Sequence, residues 1–253
     1  MEVHAHTHTA DPDSHRGRKK WTHYFWEFLM LFLAVFCGFL AEYQLEHKIE
    51  KDRAKQYISS FYQDLKTDTT ELARLLAIDK NKLTVLSGVR YCYDTVLANP
   101  ETSKCLWQII RNSLSFINLV NTERTLQQLK NAGGMRMLNK EDADSIYAYD
   151  NSIRRYLSFE TSLLQERQTN LRNLYTELLN YPDMLVLRSG ADSMMANKED
   201  QILFSAEKKE LNKLFNQLTE YTLGIRTRVA FMTRLYAFAI RMLDHLNSKY
   251  HLE

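Results

Sequence analysis

"RGRKKWTHYFWEFLMLFLAVFCGFLAEYQLEHKIEKDRAK", residues 16–55, places a basic cluster before a long apolar run and a charged segment after it. The apolar run covers residues 28–41, and extending it upstream to Tyr24 brings one acid, Glu27, inside. A helix needs about 20 residues to cross the hydrocarbon core of a bilayer. The sequence therefore predicts a single transmembrane helix over residues 24–43.

Aromatic side chains lie at both ends of this run, with Trp21 and Trp26 on one side and Tyr43 on the other. Amphipathic rings of this kind prefer the headgroup layer. A cleavable secretory signal has the same order of basic and apolar segments. However, no small-residue cleavage site follows the run, and bulky Phe36 precedes Cys37, where a lipoprotein signal needs a small residue. We interpret the run as an uncleaved anchor.

Basic residues on the two sides of the run predict its orientation. Four lie immediately before it (Arg16, Arg18, Lys19 and Lys20) and four are spread out after it (Lys48, Lys51, Arg53 and Lys55). Because the first cluster is nearer the membrane, the positive-inside rule favours a cytoplasmic N-terminus. Residues 1–23 are then a disordered cytoplasmic tail, and residues 44–253 form a domain outside the cytoplasm.

The tail contains alternating histidines, His4, His6 and His8. Imidazoles at this spacing can gather a transition metal loosely, but no fourth ligand follows. We favour a flexible polar tail and expect no metal and no cofactor in this protein.

Composition predicts an all-α domain after the anchor. Only 7 glycines and 3 prolines interrupt 253 residues, of which 45% are hydrophobic. Long helices with a shared core are the expected result. The 33 basic residues are nearly balanced by 31 acidic ones, so we expect no nucleic-acid partner.

Helical periodicity continues from residue 42 to about Leu97, which predicts one long juxtamembrane helix. Pro100 ends that helix, because proline disfavours helical geometry in the residue before it. A second helix follows with Leu106, Ile109 and Ile110 on one face.

Three further helices are predicted from caps and stripes. Thr122 is a candidate N-cap for a short helix that stops at Gly133 and Gly134, and Asn139 caps a long helix that ends near residue 180. Residues 181–200 are predicted to be an extended loop, in which Met184 to Leu187 form a short strand or a plug into the core. The last helix covers residues 205–250. The prediction is an antiparallel helical bundle that continues from the membrane helix.

Cys92 and Cys105 flank the turn at Pro100. If the helices on either side of this turn form a hairpin, the two thiols lie at similar heights, and an oxidising compartment allows a disulfide. Two buried free thiols are the alternative.

One face of the membrane helix carries a stripe of small residues, Ala34, Cys37, Gly38 and Ala41, with Glu27 on the same side. Small side chains let helices approach closely in lipid, so this stripe predicts self-association or a protein partner. A carboxylate facing a partner helix avoids exposure to lipid. The alternative is that Glu27 reaches back to the headgroups and has no further role.

The run "TLQQLKNAGGMRMLNKEDADSIYAYDNSIRRY", residues 125–156, resembles a motif of uncharacterised bacterial single-pass membrane proteins. In those families a helix end with Leu-Lys, a glycine, an apolar pair, an asparagine-type cap and a tyrosine-ended helix follow in order. A short tail, a membrane helix with a glutamate near its start, here Glu27, and a charged helix precede the motif. This chain departs from it in having two glycines. The resemblance implies a helical periplasmic domain on the bacterial inner membrane, and it implies no activity.

Motifs of catalytic chemistry are missing from the sequence, which has no glycine-rich phosphate loop, nucleophile elbow, HExxH or Cys-x-x-Cys. We therefore predict a non-catalytic interaction or scaffold protein. One alternative is a ligand-sensing bundle that acts through a partner. Another is a small accessory subunit of a proton-driven membrane complex, in which Glu27 carries the proton.

Overall fold

The computed structural model describes residues 16–99, 104–189, 203 and 207–252. Regular structure in these residues is helical, with one isolated β-bridge between Leu179 and Leu203. The all-α prediction is confirmed. The chain divides into two compact units, Met1–Arg53 and Ala54–Glu253.

Eight α-helices are described, with a 3₁₀ turn and a π-helical turn between them. In chain order they are α1 (Arg16–Leu86), α2 (Val89–Ala98), α3 (Lys104–Leu114), α4 (Arg124–Asn131), the 3₁₀ turn (Gly134–Met137), α5 (Lys140–Phe159), the π turn (Glu160–Leu164), α6 (Gln165–Leu178), α7 (Tyr181–Ser189) and α8 (Lys208–Tyr250).

The first unit contains the N-terminal part of α1. An 18-residue window there has a mean hydropathy of 2.0, and none of it is buried. The helix is long and apolar enough to cross a membrane, a property it shares with signal sequences. Helical geometry already begins at Arg16, so the predicted disordered tail is wrong for residues 16–23. The histidines of the tail lie outside the described residues.

Two hydrophobic clusters form the core of the second unit. One contains Leu86, Leu171 and Ile225, and the other contains Ile58, Ile153 and Met232. Along α1 and along α5–α6 the chain passes from the second cluster to the first, whereas along α8 it passes from the first to the second. Helix α8 is therefore antiparallel to α1 and to α5–α6, as expected for an antiparallel bundle.

The predicted uninterrupted helix from residue 42 to Leu97 is wrong at one point. Helix α1 ends at Leu86, and α2 begins at Val89. The Ser87 hydroxyl donates to the carbonyl of Thr84 at 2.7 Å, and Gly88 follows. Serine competes for the backbone and glycine has low helix propensity, so this pair is a local breaking point.

The segment after residue 180 is more helical than predicted. Residues 181–189 form α7, so the expectation of a short strand at Met184 to Leu187 is wrong. The alternative, a plug into the core, agrees with the structure, because both of these side chains pack partly buried against the first cluster. Helix α8 begins at Lys208, three residues after the predicted start.

The turn before α5 follows the prediction closely. Gly133 has a φ of 67°, in the left-handed region that glycine adopts without strain. Asn139 Oδ1 accepts a hydrogen bond from the backbone amide of Asp142 at 2.9 Å, so the predicted cap of α5 is confirmed.

Candidate functional site

A layer of charged side chains crosses the bundle between the two hydrophobic clusters. It consists of Asp79 and Lys82 on α1, Glu160 in the π turn and Arg228 on α8, and each is at most 4% exposed. Burial of a charge is costly unless it is paired and hydrogen-bonded. We call these four residues the buried charged layer. Their burial requires partners for each charge.

Arg228 is the centre of this layer. Its Nε lies 3.3 Å from Asp79 Oδ2, and its Nη2 lies 3.1 Å from Glu160 Oε1. The Tyr156 hydroxyl connects the π turn to α8, because it donates to Glu160 Oε1 at 2.6 Å and accepts from Arg228 Nε at 2.9 Å. Arg228 also stacks over the ring of Phe116, with its guanidinium carbon 4.7 Å from the ring centroid.

Burial changes the acid–base behaviour of the layer. Loss of hydration raises the pKa of Asp79 and of Glu160, although Arg228 opposes both shifts. Loss of hydration also lowers the pKa of Lys82 to about 8, against the opposing effect of Asp79. The interactions that oppose the effect of burial on the pKa of Asp79, Glu160 and Lys82 thus come in large part from other charged groups of the layer.

The layer binds the backbone of the irregular connection between α3 and α4, residues 115–123. Lys82 Nζ donates to the Ser115 carbonyl at 2.5 Å, and Arg228 Nη2 donates to the Ile117 carbonyl at 2.6 Å. Glu160 Oε2 accepts from the Leu119 amide at 3.1 Å. Backbone groups that enter a protein interior without a strand or helix require such partners. The buried charges therefore fix this connection.

Two more carboxylates of α1 continue the pattern. Asp68 Oδ1 accepts from the Thr122 amide at 2.7 Å, and Asp64 Oδ2 accepts from the Thr125 amide at 3.1 Å. The N-cap position of α4 is Glu123, whose side chain makes no capping bond. The prediction that Thr122 caps α4 is therefore wrong, because the N-cap position is Glu123 and Asp64 of α1 binds the Thr125 amide in the first turn.

A second polar cluster surrounds Asp142 where α5 begins and α8 ends. Asp142 is fully buried, and its carboxylate accepts from His245 Nε2 at 3.1 Å, from Lys249 Nζ at 3.0 Å and from the Tyr250 hydroxyl. Burial opposes ionisation, but these hydrogen bonds together lower its pKa.

Glu141, Asp142 and His245 bring three potential ligand atoms within 4.8 Å of one another. However, the Asp142 oxygens already accept bonds from a lysine and a tyrosine, so a cation there would have to displace Lys249. The geometry favours a hydrogen-bonded contact that holds α5 against α8 over a metal centre.

An open cleft of about 830 Å³ is lined in part by Leu114 and by Ser115, whose carbonyl accepts a hydrogen bond from Lys82. Three arginines line it, Arg111 on α3, Arg172 on α6 and Arg188 on α7. The described lining residues also include Met184 and Leu187 and contain no carboxylate. We call this cavity the arginine cleft.

The predicted membrane-helix residues Glu27, Ala34, Gly38 and Ala41 are all exposed in the structure. A Cβ added at Gly38 would meet no atom within 4 Å. His23 Nδ1 lies 3.7 Å from Glu27 Oε2, and both side chains are exposed. Packing within the described chain therefore does not require small residues in this stripe.

The predicted disulfide is present in the structure, where Cys92 and Cys105 are bonded and their Cα atoms lie 5.6 Å apart. It joins α2 to α3. Cys37 is a free, exposed thiol.

Sequence reasoning missed the buried charged layer, although a signal exists. Arg228 lies at a position where the periodicity of Tyr221, Ile225 and Met232 requires an apolar residue. A charge within a helical stripe is a sign of a buried ion pair. No comparable signal exists for the arginine cleft, because its three arginines come from separate helices.

Comparisons with protein families, with curated proteins and with solved structures found no match. The resemblance of residues 125–156 to bacterial single-pass membrane proteins therefore stays a prediction.

Proposed function

We propose that this chain is a single-pass membrane protein whose helical bundle is a non-catalytic interaction or scaffold domain. In this proposal the N-terminal helix anchors the chain in the bacterial inner membrane, the N-terminus is cytoplasmic and the bundle is periplasmic.

The observation that carries the proposal is the exposure of the apolar part of α1. Trp21, Phe28, Leu31 and Phe39 are each at least 68% exposed, and the most apolar 18-residue window is not buried at all. Soluble proteins rarely expose an apolar surface this large to water. A bilayer would cover it, and the apolar stretch has the length that a bilayer core requires.

The small-residue stripe supports association through the same helix. Because no atom of the described residues lies within 4 Å of a Cβ placed at Gly38, a second helix can approach the backbone closely at this point. A second copy of this chain is the simplest partner, and Glu27 then faces that partner rather than lipid.

The buried charged layer supports a structural rather than a chemical role for the bundle. Arg228, Glu160 and Lys82 each bind the backbone of residues 115–123. A catalytic group must reach a substrate, whereas these side chains are at most 4% exposed.

Membrane extraction combined with intact mass measurement tests the proposal. After expression in a bacterium, we expect the protein to remain in the pellet after alkaline carbonate washing and to retain residues 16–43. Release by carbonate would contradict an integral anchor. A mature chain that begins after residue 43 would instead identify the apolar segment as a cleaved signal.

A further inference from the structure

We propose that residues 116–120, in the connection between α3 and α4, bind a partner protein by pairing their outward backbone edge with an extended, uncharged segment of that partner. The inference rests on the proposed interaction function, to which it gives a surface and a class of partner. It does not depend on the membrane anchor, because residues 116–120 belong to the second unit.

The connection runs as an extended chain. Residues 115–123 contain no helix, strand, turn or bend. The Ser115 carbonyl is bound by Lys82, and the Thr122 amide is bound by Asp68. Lys82 and Asp68 are fourteen positions apart on α1, which is a rise of about 21 Å along the helix. Seven residues of the connection cover this distance at roughly 3 Å each, which is near the rise of a β-strand.

One edge of this extended chain is bound by the bundle. The buried charged layer binds every second backbone residue, namely the carbonyls of Ser115 and Ile117 and the amide of Leu119. Successive residues of an extended chain present their N–H and C=O groups to opposite edges. The backbone groups of residues 116, 118 and 120 therefore point to the edge that faces away from the layer.

This outward edge is accessible. Among the residues that the structure describes, none hydrogen-bonds to the backbone of Phe116, Asn118 or Val120. Asn118 is exposed, and Val120 is 77% exposed. An accessible row of alternating backbone donors and acceptors is a template on which another extended chain can pair.

The side chains of the connection define the partner segment. Residues 115–122 carry no charge, and Phe116, Ile117 and Val120 are of types enriched in β-strands. Exposed strand edges are often protected by lysine or proline, and these eight residues contain neither. β-Branched side chains of a paired strand pack well beside such neighbours. The partner segment is therefore uncharged and rich in β-branched residues.

The buried charged layer orders the edge before a partner arrives. Its bonds to Ser115, Ile117 and Leu119 hold the connection extended in the chain alone. A segment that is already ordered loses less conformational entropy on binding. The layer thus acts as a support for the recognition edge in addition to its place in the core.

A peptide titration of the full-length protein in a non-ionic detergent tests the inference. The probe is a fluorescent peptide of alternating threonine and valine with a lysine at each end for solubility. We expect saturable binding by fluorescence anisotropy. The same peptide N-methylated on its central amides keeps its side chains but cannot pair through its backbone, and it should bind at least about tenfold more weakly.

A matched pair of variants locates the site. Asn118→Pro removes the outward amide and places a ring at the edge, so it should weaken binding at least about tenfold. Asn118→Ala changes the side chain and keeps the amide, so the affinity should stay within about threefold. Circular dichroism checks that both variants are folded. If the proline variant does not fold, the methylated peptide still decides the result.

Three results would overturn the inference: no binding of the probe to the wild type, equal binding of the methylated probe, or equal weakening by the two Asn118 variants. Disulfide-linked dimers of an Asn118→Cys, Cys37→Ser protein would also overturn it, because they would assign the edge to a second copy of the chain. Release of the protein in the carbonate test would contradict the anchor and leave peptide binding unchanged, so failures of the two proposals are distinguishable.

Discussion

Arg228 Nη2 lies 3.1 Å from Glu160 Oε1, and both side chains are 1% exposed. The pair connects α8 to the π turn between the two hydrophobic clusters, and each partner also binds the backbone of residues 115–123. π-helical turns are rare and are found mostly as single turns inside α-helices. Here the turn begins at Glu160, the residue that meets the arginine.

Replacement of Arg228 by methionine should lower the free energy of unfolding by about 3–5 kcal/mol, because it leaves two buried carboxylates without their cation. Urea unfolding measures the change. Arg226→Met is the matched control on the exposed face of the same helix and should change stability by less than about 0.5 kcal/mol. Similar costs for the two variants would show that the buried charged layer does not hold the bundle together.

The disulfide gives a second prediction. It closes a loop with a sequence separation of 13, so the paired change Cys92→Ser and Cys105→Ser should cost about 3 kcal/mol of stability. Protein purified without reductant and then unfolded should show one titratable thiol, that of Cys37. A count of three thiols would contradict both the bond and the oxidising compartment that it requires.

The Asp142 cluster gives a prediction about pH. Because hydrogen bonds lower the folded-state pKa of Asp142, the carboxylate stabilises the fold above its unfolded pKa, near 3.9, and this contribution is lost as pH falls through the folded-state value. Asp142→Asn should therefore cost about 1–3 kcal/mol at pH 7. The difference between variant and wild type should shrink below about pH 4. A difference independent of pH would exclude an ionised Asp142.

The membrane-helix stripe gives a prediction about association. Gly38→Ile should weaken self-association of the membrane helix, because a branched side chain prevents close approach of two backbones. Leu31→Ile, on a different face, is the control. In a bacterial reporter assay of membrane-helix association, an effect of Leu31→Ile without one of Gly38→Ile would place the interface on the other face. Glu27→Gln should leave folding of the bundle unchanged.

Most helices of this fold can be predicted from the sequence because their apolar stripes are regular and their ends carry strong local signals. Asn139 is such a signal, since its side chain caps the helix that follows it. The sequence signal for the break at Gly88 is weaker, because a single glycine inside a helical pattern is often tolerated. Local chemistry alone therefore does not decide whether the helix continues.

The features that were missed depend on contacts between residues far apart in the chain. Thr122 has the chemistry of an N-cap, yet its amide binds Asp68 from α1, and only the tertiary fold brings the two together. The same holds for the arginine cleft, whose residues lie on three helices. Periodicity shows which face of a helix is buried, but it does not show which distant charges share a space.

Protease treatment of intact spheroplasts tests the central claim, an uncleaved N-terminal anchor with the bundle outside the cytoplasm, most directly. Immunoblotting with tags at each end follows the two parts, and lysed spheroplasts serve as the control for a bundle that resists cleavage when folded. The account predicts digestion of residues 44–253 in intact spheroplasts while the basic N-terminal segment stays protected. Protection of the bundle in intact spheroplasts, with digestion after lysis, would contradict it.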